Sequence, residues 1–295
     1  MPIATVSTNL SELAAVLWIG LIVSGSLLLL RARRAVLDTT LLAAWWWTLA
    51  AWLAVITAGL VGMVPGYSQA DTSWHQSLQM AAAMTTLCPA MAMLGAKRPQ
   101  YAAWQWIVLS LWVVLSLPAA EWLLFAGPPA VHTARRWFLL VLLLPGIVNY
   151  LPTRHAGSAV LFGIGQAILL APYLPAGSLP ASDHSLLAAT LFVAALAAAL
   201  RPRRRPAARD PLDQLWRDFC NFYGLIWSLR VAERFNAAAV AAGWPVRLSW
   251  RGFRSPTGDL LPGLSTAERA AMANNLTSWL SRFVSSEWIA KRLSP

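Results

Sequence analysis

The segment LAAALRPRRRPAARDPLDQLW (Leu196–Trp216) joins two kinds of chain. Upstream lies an uncharged alanine–leucine run. Arg201, Arg203, Arg204, Arg205 and Arg209 follow, five arginines within nine residues. Asp210-Pro211-Leu212-Asp213 then reads as a helix start, with Asp210 as N-cap, Pro211 in the first turn and Asp213 beside the positive end of the dipole. A basic cluster that directly abuts an apolar run marks where a membrane span stops. Each such arginine gains about 1 kcal/mol beside an anionic leaflet, and Pro202 and Pro206 keep the span's helix from continuing. A nucleic-acid arm would have to project freely, so the partner expected for this stretch is anionic lipid head groups and not nucleic acid. The expected organisation is a transmembrane helical bundle over residues 1–200, a basic juxtamembrane linker over 201–209 and a small cytosolic α+β module over 210–295.

The composition agrees with a chain built largely for lipid. Of 295 residues, 58% are hydrophobic and 12% charged, against about 25% charged in soluble domains. The net charge of +11 divides as +8 before Asp210 and +3 from it onward. In a polytopic protein such a balance records topology. Two cysteines, Cys88 and Cys220, exclude a disulfide framework. Alanine is abundant and lysine occurs only as Lys97 and Lys291, which suggests a GC-rich bacterial genome and hence a multi-pass protein of a bacterial inner membrane.

Seven apolar runs approach the roughly 20 residues that cross a bilayer core. They are Leu13–Leu30, Leu41–Val64, Leu78–Ala96, Ala102–Ala126, Trp137–Leu151, Ala159–Leu174 and Leu186–Leu200. The third is the most polar and suits the bundle interior; the last three are short, which leaves six or eight spans open. No positive charge precedes the first run and RARR follows it, so it reads as an uncleaved span with its N-terminus outside. Alternation then puts eleven arginines and lysines on inner loops and only Arg135 and Arg136 on outer ones. This bias predicts an N-out, C-in topology. The run Trp45-Trp46-Trp47 reads as interfacial and lipid-facing packing, with a platform for a planar ligand as the alternative.

A faint repeat relates Cys88–Ala120 to Leu144–Ala176. Each half carries an early proline (Pro89, Pro145), a short inner loop and a late proline (Pro118, Pro172). Kinked repeat helices can frame a transport site, though prolines are common in ordinary bundles. Within the spans, Glu121, Asn149 and Gln166 are the polar candidates, because an intramembrane polar or ionisable group is a functional candidate by default. Near its helix end, Glu121 can also reach outward or meet Arg135 or Arg136. On the outer side, His75, His132 and His184 each precede an inward-running span, with Asp71 and Asp183 beside two of them. Imidazoles and carboxylates could ligate a transition metal or haem iron. No cofactor follows from the rest of the chain.

Beyond Asp210, Leu212, Leu215, Trp216, Phe219, Phe222, Tyr223 and Ile226 recur at helical spacing. They predict a long helix to about Ala242, ended by Gly243. The alternation in WPVRLSWRGF (Trp244–Phe253) predicts a strand. Ser265 and Glu268 form a capping box that opens a helix to about Val284, and Trp288 and Ile289 belong to a last short helix. This module holds no histidine and one cysteine, which removes Ser–His and Cys–His dyads and zinc fingers. GFRSPTG (Gly252–Gly258) lacks the Lys and Ser/Thr of a phosphate-binding loop. Its six tryptophans suit a core or an interface. The leading expectation is therefore a non-enzymatic membrane component that docks a protein partner through its C-terminal module. A small-molecule or ion transporter and an outer-face metal or haem handler are the alternatives.

Overall fold

Two reciprocal exchanges seat the first helix on the second. Trp18 of α1 (Ile3–Val36) lies where a side chain at Gly59 would stand, and Trp52 of α2 (Leu42–Gly62) lies where one at Gly25 would stand. Both indoles are buried, at 2% and 4% exposure. Small residues at crossings let helix backbones approach in lipid, where no hydrophobic force drives the helices together. In this computed structural model residues 3–63, 72–125, 132–175, 184–202, 210–255 and 264–293 are described.

The chain is mainly helical. α3 (Thr72–Thr85) and α4 (Cys88–Leu94) follow, then α5 (Tyr101–Phe125), α6 (Thr133–Val148), α7 (Ala156–Leu170) with a 3-10 turn at Ala171–Tyr173, and α8 (Ser185–Leu200). Among the described residues five segments are long and apolar enough to cross a membrane: Glu12–Val36, Leu42–Gly62, Trp74–Leu94, Tyr101–Glu121 and Ala156–Tyr173. Ser185–Leu200 is apolar but shorter, and α6 has 16 residues and carries Arg135 and Arg136 in its first turn. The third segment is the interior one, as its polarity predicts. Two thirds (67%) of an 18-residue apolar stretch within Trp74–Leu94 is buried, against 17% for the corresponding stretch of the first segment.

That segment is broken, not continuous. Pro89 stands in the first turn of α4 and has no N–H to continue the ladder of α3. The carbonyl of Thr86, in the gap, is met instead by the Gln166 amide of α7 at 2.6 Å, and Trp112 of α5 donates to the Thr85 hydroxyl at 2.8 Å. The repeat prolines play unlike parts. Pro118 and Pro145 sit inside α5 and α6, whereas Pro89 opens a helix and Pro172 lies in the 3-10 turn.

The C-terminal segment consists of α9 (Pro211–Ala241), a hairpin of β1 (Arg247–Ser249) and β2 (Gly252–Arg254), α10 (Thr266–Leu280) and α11 (Ser286–Leu293). Asp210 caps α9 by accepting from Leu212 N at 2.9 Å, and both halves of the Ser265–Glu268 capping box are formed. The single strand expected over Trp244–Phe253 is two strands. The chain turns at Trp250–Arg251, pairs Leu248 with Phe253, and is held by Asp213 Oδ1, which accepts from Phe253 N at 2.8 Å. α10 stops at Leu280 rather than near Val284, because Val284 leaves the helix to bridge Thr39 in the α1–α2 loop.

One core serves this segment and one end of the bundle. Phe219, Tyr223, Phe235, Leu276 and Phe283 are buried together with Leu41, Met93 and Ala96. The long helix also has a break that its apolar periodicity conceals. Gly224 has φ 71 and ψ −164, a left-handed value that disfavours any residue with a Cβ. The break leaves donors without helical acceptors, and Asn149, just after α6, supplies them. Its carbonyl accepts from Leu225 N at 2.8 Å and its Oδ1 accepts from Ile226 N at 2.9 Å. Its amide nitrogen donates to Tyr223 O at 3.2 Å. A Cβ at Gly224 would collide with the Asn149 side chain. Gly224→Ala is therefore expected to lower the melting temperature of the purified protein more than Asn149→Ala. The latter removes side-chain partners at about 1–3 kcal/mol for each buried group left unpaired, whereas the former also strains the backbone. Equal melting curves for Gly224→Ala and wild type would show that the break is not needed.

Candidate functional site: a basic cleft at the capped end

Three loops hold the C-terminal segment against the bundle. In the α1–α2 loop, Thr40 N donates to Phe283 O at 2.9 Å, and Asp38 O accepts from Ser285 N at 2.9 Å. In the α4–α5 loop, Arg98 N donates to Arg282 O at 2.8 Å. In the α6–α7 loop, Tyr150 donates to Phe222 O at 3.0 Å, and Arg154 N donates to Asn221 Oδ1 at 3.1 Å. Tyr223 sits at the centre. Its hydroxyl donates to Phe283 O at 2.7 Å and lies 3.1 Å from the Thr40 hydroxyl, which itself donates to Ala96 O. Each hydroxyl has one proton, so the bonds to the two carbonyls are the strong pair. Burial keeps the Tyr223 phenol above its ordinary pKa and thus protonated as a donor.

Beside this anchor lies a cleft. Two adjoining hollows of about 350 and 420 Å³ share Lys97, Gln100 and Arg282. Arg230 and Arg234 of α9 and Arg98 of the α4–α5 loop complete a set of five cations, against the single carboxylate of Glu233. Among the described residues none of the five has an ion-pair partner; the pairs that form are elsewhere, Arg269 with Asp210 and Arg292 with Asp218. Two indoles fix two guanidinium groups without neutralising them. Arg230 lies 5.1 Å from the ring centre of Trp227, and Arg282 lies 4.4 Å from that of Trp279. Trp227 is itself pinned, donating to Met93 O at 3.0 Å. Such stacking favours the planar arginine cation.

The residues singled out in the sequence fall elsewhere. Asn149 and Gln166 are buried, at 0% and 2% exposure, and both bond to backbone at helix breaks. Glu121 is exposed near the far end of α5 and makes no ion pair with Arg135 or Arg136 among the described residues; Arg135 instead reaches Val114 O at 3.4 Å. Among the described residues no three metal-ligating side chains come together. His75 bonds to Gln79 at 2.7 Å, and His132 and His184 stand at the N-caps of α6 and α8. Asp71 and Asp183 lie outside the described residues, as do Arg203, Arg204, Arg205 and Arg209. Arg201 is at the end of α8 and exposed. The tryptophan run divides: Trp46 is exposed, whereas Trp45 is buried and donates to Leu29 O at 2.9 Å, and Trp47 donates to Gln105 at 2.8 Å. Residue-by-residue reading does not find the cleft, because Lys97, Arg230 and Arg282 are far apart in the chain.

A buried ion pair closes the far side of the segment. Arg292 Nε donates to Asp218 Oδ2 at 2.9 Å, with the Asp218 side chain 3% exposed, and the guanidinium stacks on Trp288 at 3.6 Å. Cys220 lies on the same helix, 3% exposed. Burial, opposed in part by a bond from Ser228, pushes its thiol up from 9.0 to about 12. The folded protein therefore holds the thiol protonated at pH 8, and stability linked to it is retained below pH 9 and lost as pH rises toward 12. Maleimide at pH 8 is expected to leave Cys220 unmodified in a Cys88→Ala background until denaturant is added. Rapid labelling of the native protein would show that the thiol is accessible. The chain matches no family model, no curated protein and no solved structure.

Proposed function

We propose that the protein is a multi-pass component of a bacterial inner membrane, with seven crossings, the N-terminus outside and the C-terminal segment inside. In this reading it is not an enzyme and acts by docking a protein partner through that segment. One observation carries it. The segment is bonded to the α1–α2, α4–α5 and α6–α7 loops at one end of the bundle, and that end also holds Arg31, Arg33, Arg34, Lys97, Arg98 and Arg154. A cation-rich end is the cytosolic end under the positive-inside bias. A segment anchored at so many points offers a preorganised surface, which lowers the ordering cost of binding.

Val240 of α9 is 83% exposed and belongs to no core cluster, so it is the position from which a partner is sought. A fluorescent protein fused after the C-terminus is expected to fluoresce in cells, and alkaline phosphatase at the same place to be inactive. The reverse pattern would overturn the orientation. A photo-crosslinking residue at Val240 is expected to give a discrete adduct that the same residue at the bundle-exposed Val114 does not give. Absence of a Val240-specific adduct, with the orientation upheld, would remove the docking reading.

A further inference from the structure

The basic cleft has the features of a ligand site of its own. Its cations come from three separate places: Lys97 and Arg98 from the α4–α5 loop, Arg230 and Arg234 from α9, and Arg282 from just beyond α10. The backbone bond from Arg98 to Arg282 locks two of these elements together. Five cations in one concavity against the single carboxylate of Glu233 raise the local potential, which a bound anion relieves. A positive-inside loop alone would have no reason to share one concavity with cations of α9, or to set two of the cations over buried or half-buried indoles. The hollows are of the size that takes a small-molecule group, with more charge than a single monoanion neutralises.

Position identifies the source of the anion. Lys97 follows α4, which ends at Leu94, and Gln100 precedes α5, which begins at Tyr101. The cleft therefore lies where two apolar helices of the bundle end, and Tyr101 and Trp106 are exposed along the first turns of α5. An acyl chain lying along α5 would bring its headgroup to the cleft. From these observations we infer that the cleft binds the headgroup of a phospholipid carrying more than one phosphate charge, held by Arg230, Arg234 and Arg282 through charge-assisted bonds to phosphate oxygens. The inference rests on the inward orientation proposed above but not on a protein partner.

The test uses the full-length protein in a mild detergent, with native mass spectrometry and thermal shift as readouts. A diphosphate phospholipid, a monophosphate anionic phospholipid and a zwitterionic one are added in turn, with inorganic pyrophosphate as the soluble form of the same chemistry and a short polyglutamate peptide as an acidic protein segment. The diphosphate lipid is expected to bind first and to stabilise most. Arg230→Gln/Arg234→Gln/Arg282→Gln is expected to weaken that binding roughly a hundredfold, since each juxtamembrane cation contributes roughly a factor of five toward anionic lipid. The corresponding triple lysine variant, which retains the charge, is expected to keep most of it and serves as the control for folding. Equal binding by the glutamine variant, or no preference for the diphosphate lipid over the zwitterionic one, would overturn the site. Pyrophosphate binding without lipid binding would overturn the lipid as its source, and tighter binding of the peptide would assign the cleft to a protein. Loss of the Val240 adduct with lipid binding intact would count against the docking reading alone.

Discussion

The course of α9 across the capped end depends on Asn149 meeting the break at Gly224. A helix interrupted at Gly224 has backbone donors that must be paired if they are to be buried, and the unpaired cost is about 1–3 kcal/mol each. Asn149 accepts two of them and donates to the carbonyl before the break. It does so from the end of a bundle helix, so the break and the bundle complete each other. The same contact aims the two halves of α9. The first half carries Phe219 and Tyr223 into the shared core, and the second carries Trp227, Arg230 and Arg234 to the cleft.

Gln166 repeats this logic at the other break. Its amide meets the Thr86 carbonyl between α3 and α4, where Pro89 prevents the helix from continuing. Polar groups inside a span are costly unless paired, and both of these buried amides are paired to backbone. Their chemistry is that of splints. The kinks at Pro89 and Gly224 are thus closed by side chains reaching over from neighbouring parts of the bundle.

The parts of the fold legible in the sequence are those set by local rules. The Asp210 cap, the Ser265–Glu268 box, the stop at Gly243 and five of the seven apolar runs, those that form helices long enough to cross a membrane, all have signatures within a few residues. The break at Gly224 was not legible, because Phe219, Tyr223 and Ile226 keep helical spacing across it and its partner lies 75 residues upstream. The hairpin was read as one strand because alternation at Val246, Leu248 and Trp250 runs unbroken into the turn. Of the candidate site almost nothing was legible. The cleft is a meeting of residues 97, 230 and 282, and periodicity along the chain carries no information about such meetings. The polar residues that stood out, Asn149 and Gln166, stood out because the backbone needs them.

The anchoring of the last segment to three earlier loops sets an order of assembly. Thr40, Arg98 and Asn149 emerge from synthesis long before Phe283, Arg282 and Tyr223, their partners. Until the final residues are made, this end of the bundle keeps exposed donors and acceptors and an uncovered apolar face at Leu41, Met93 and Ala96. A chain cut short before α10 carries that uncovered face permanently, which gives quality-control proteases in the cell a mark that separates incomplete copies from finished ones.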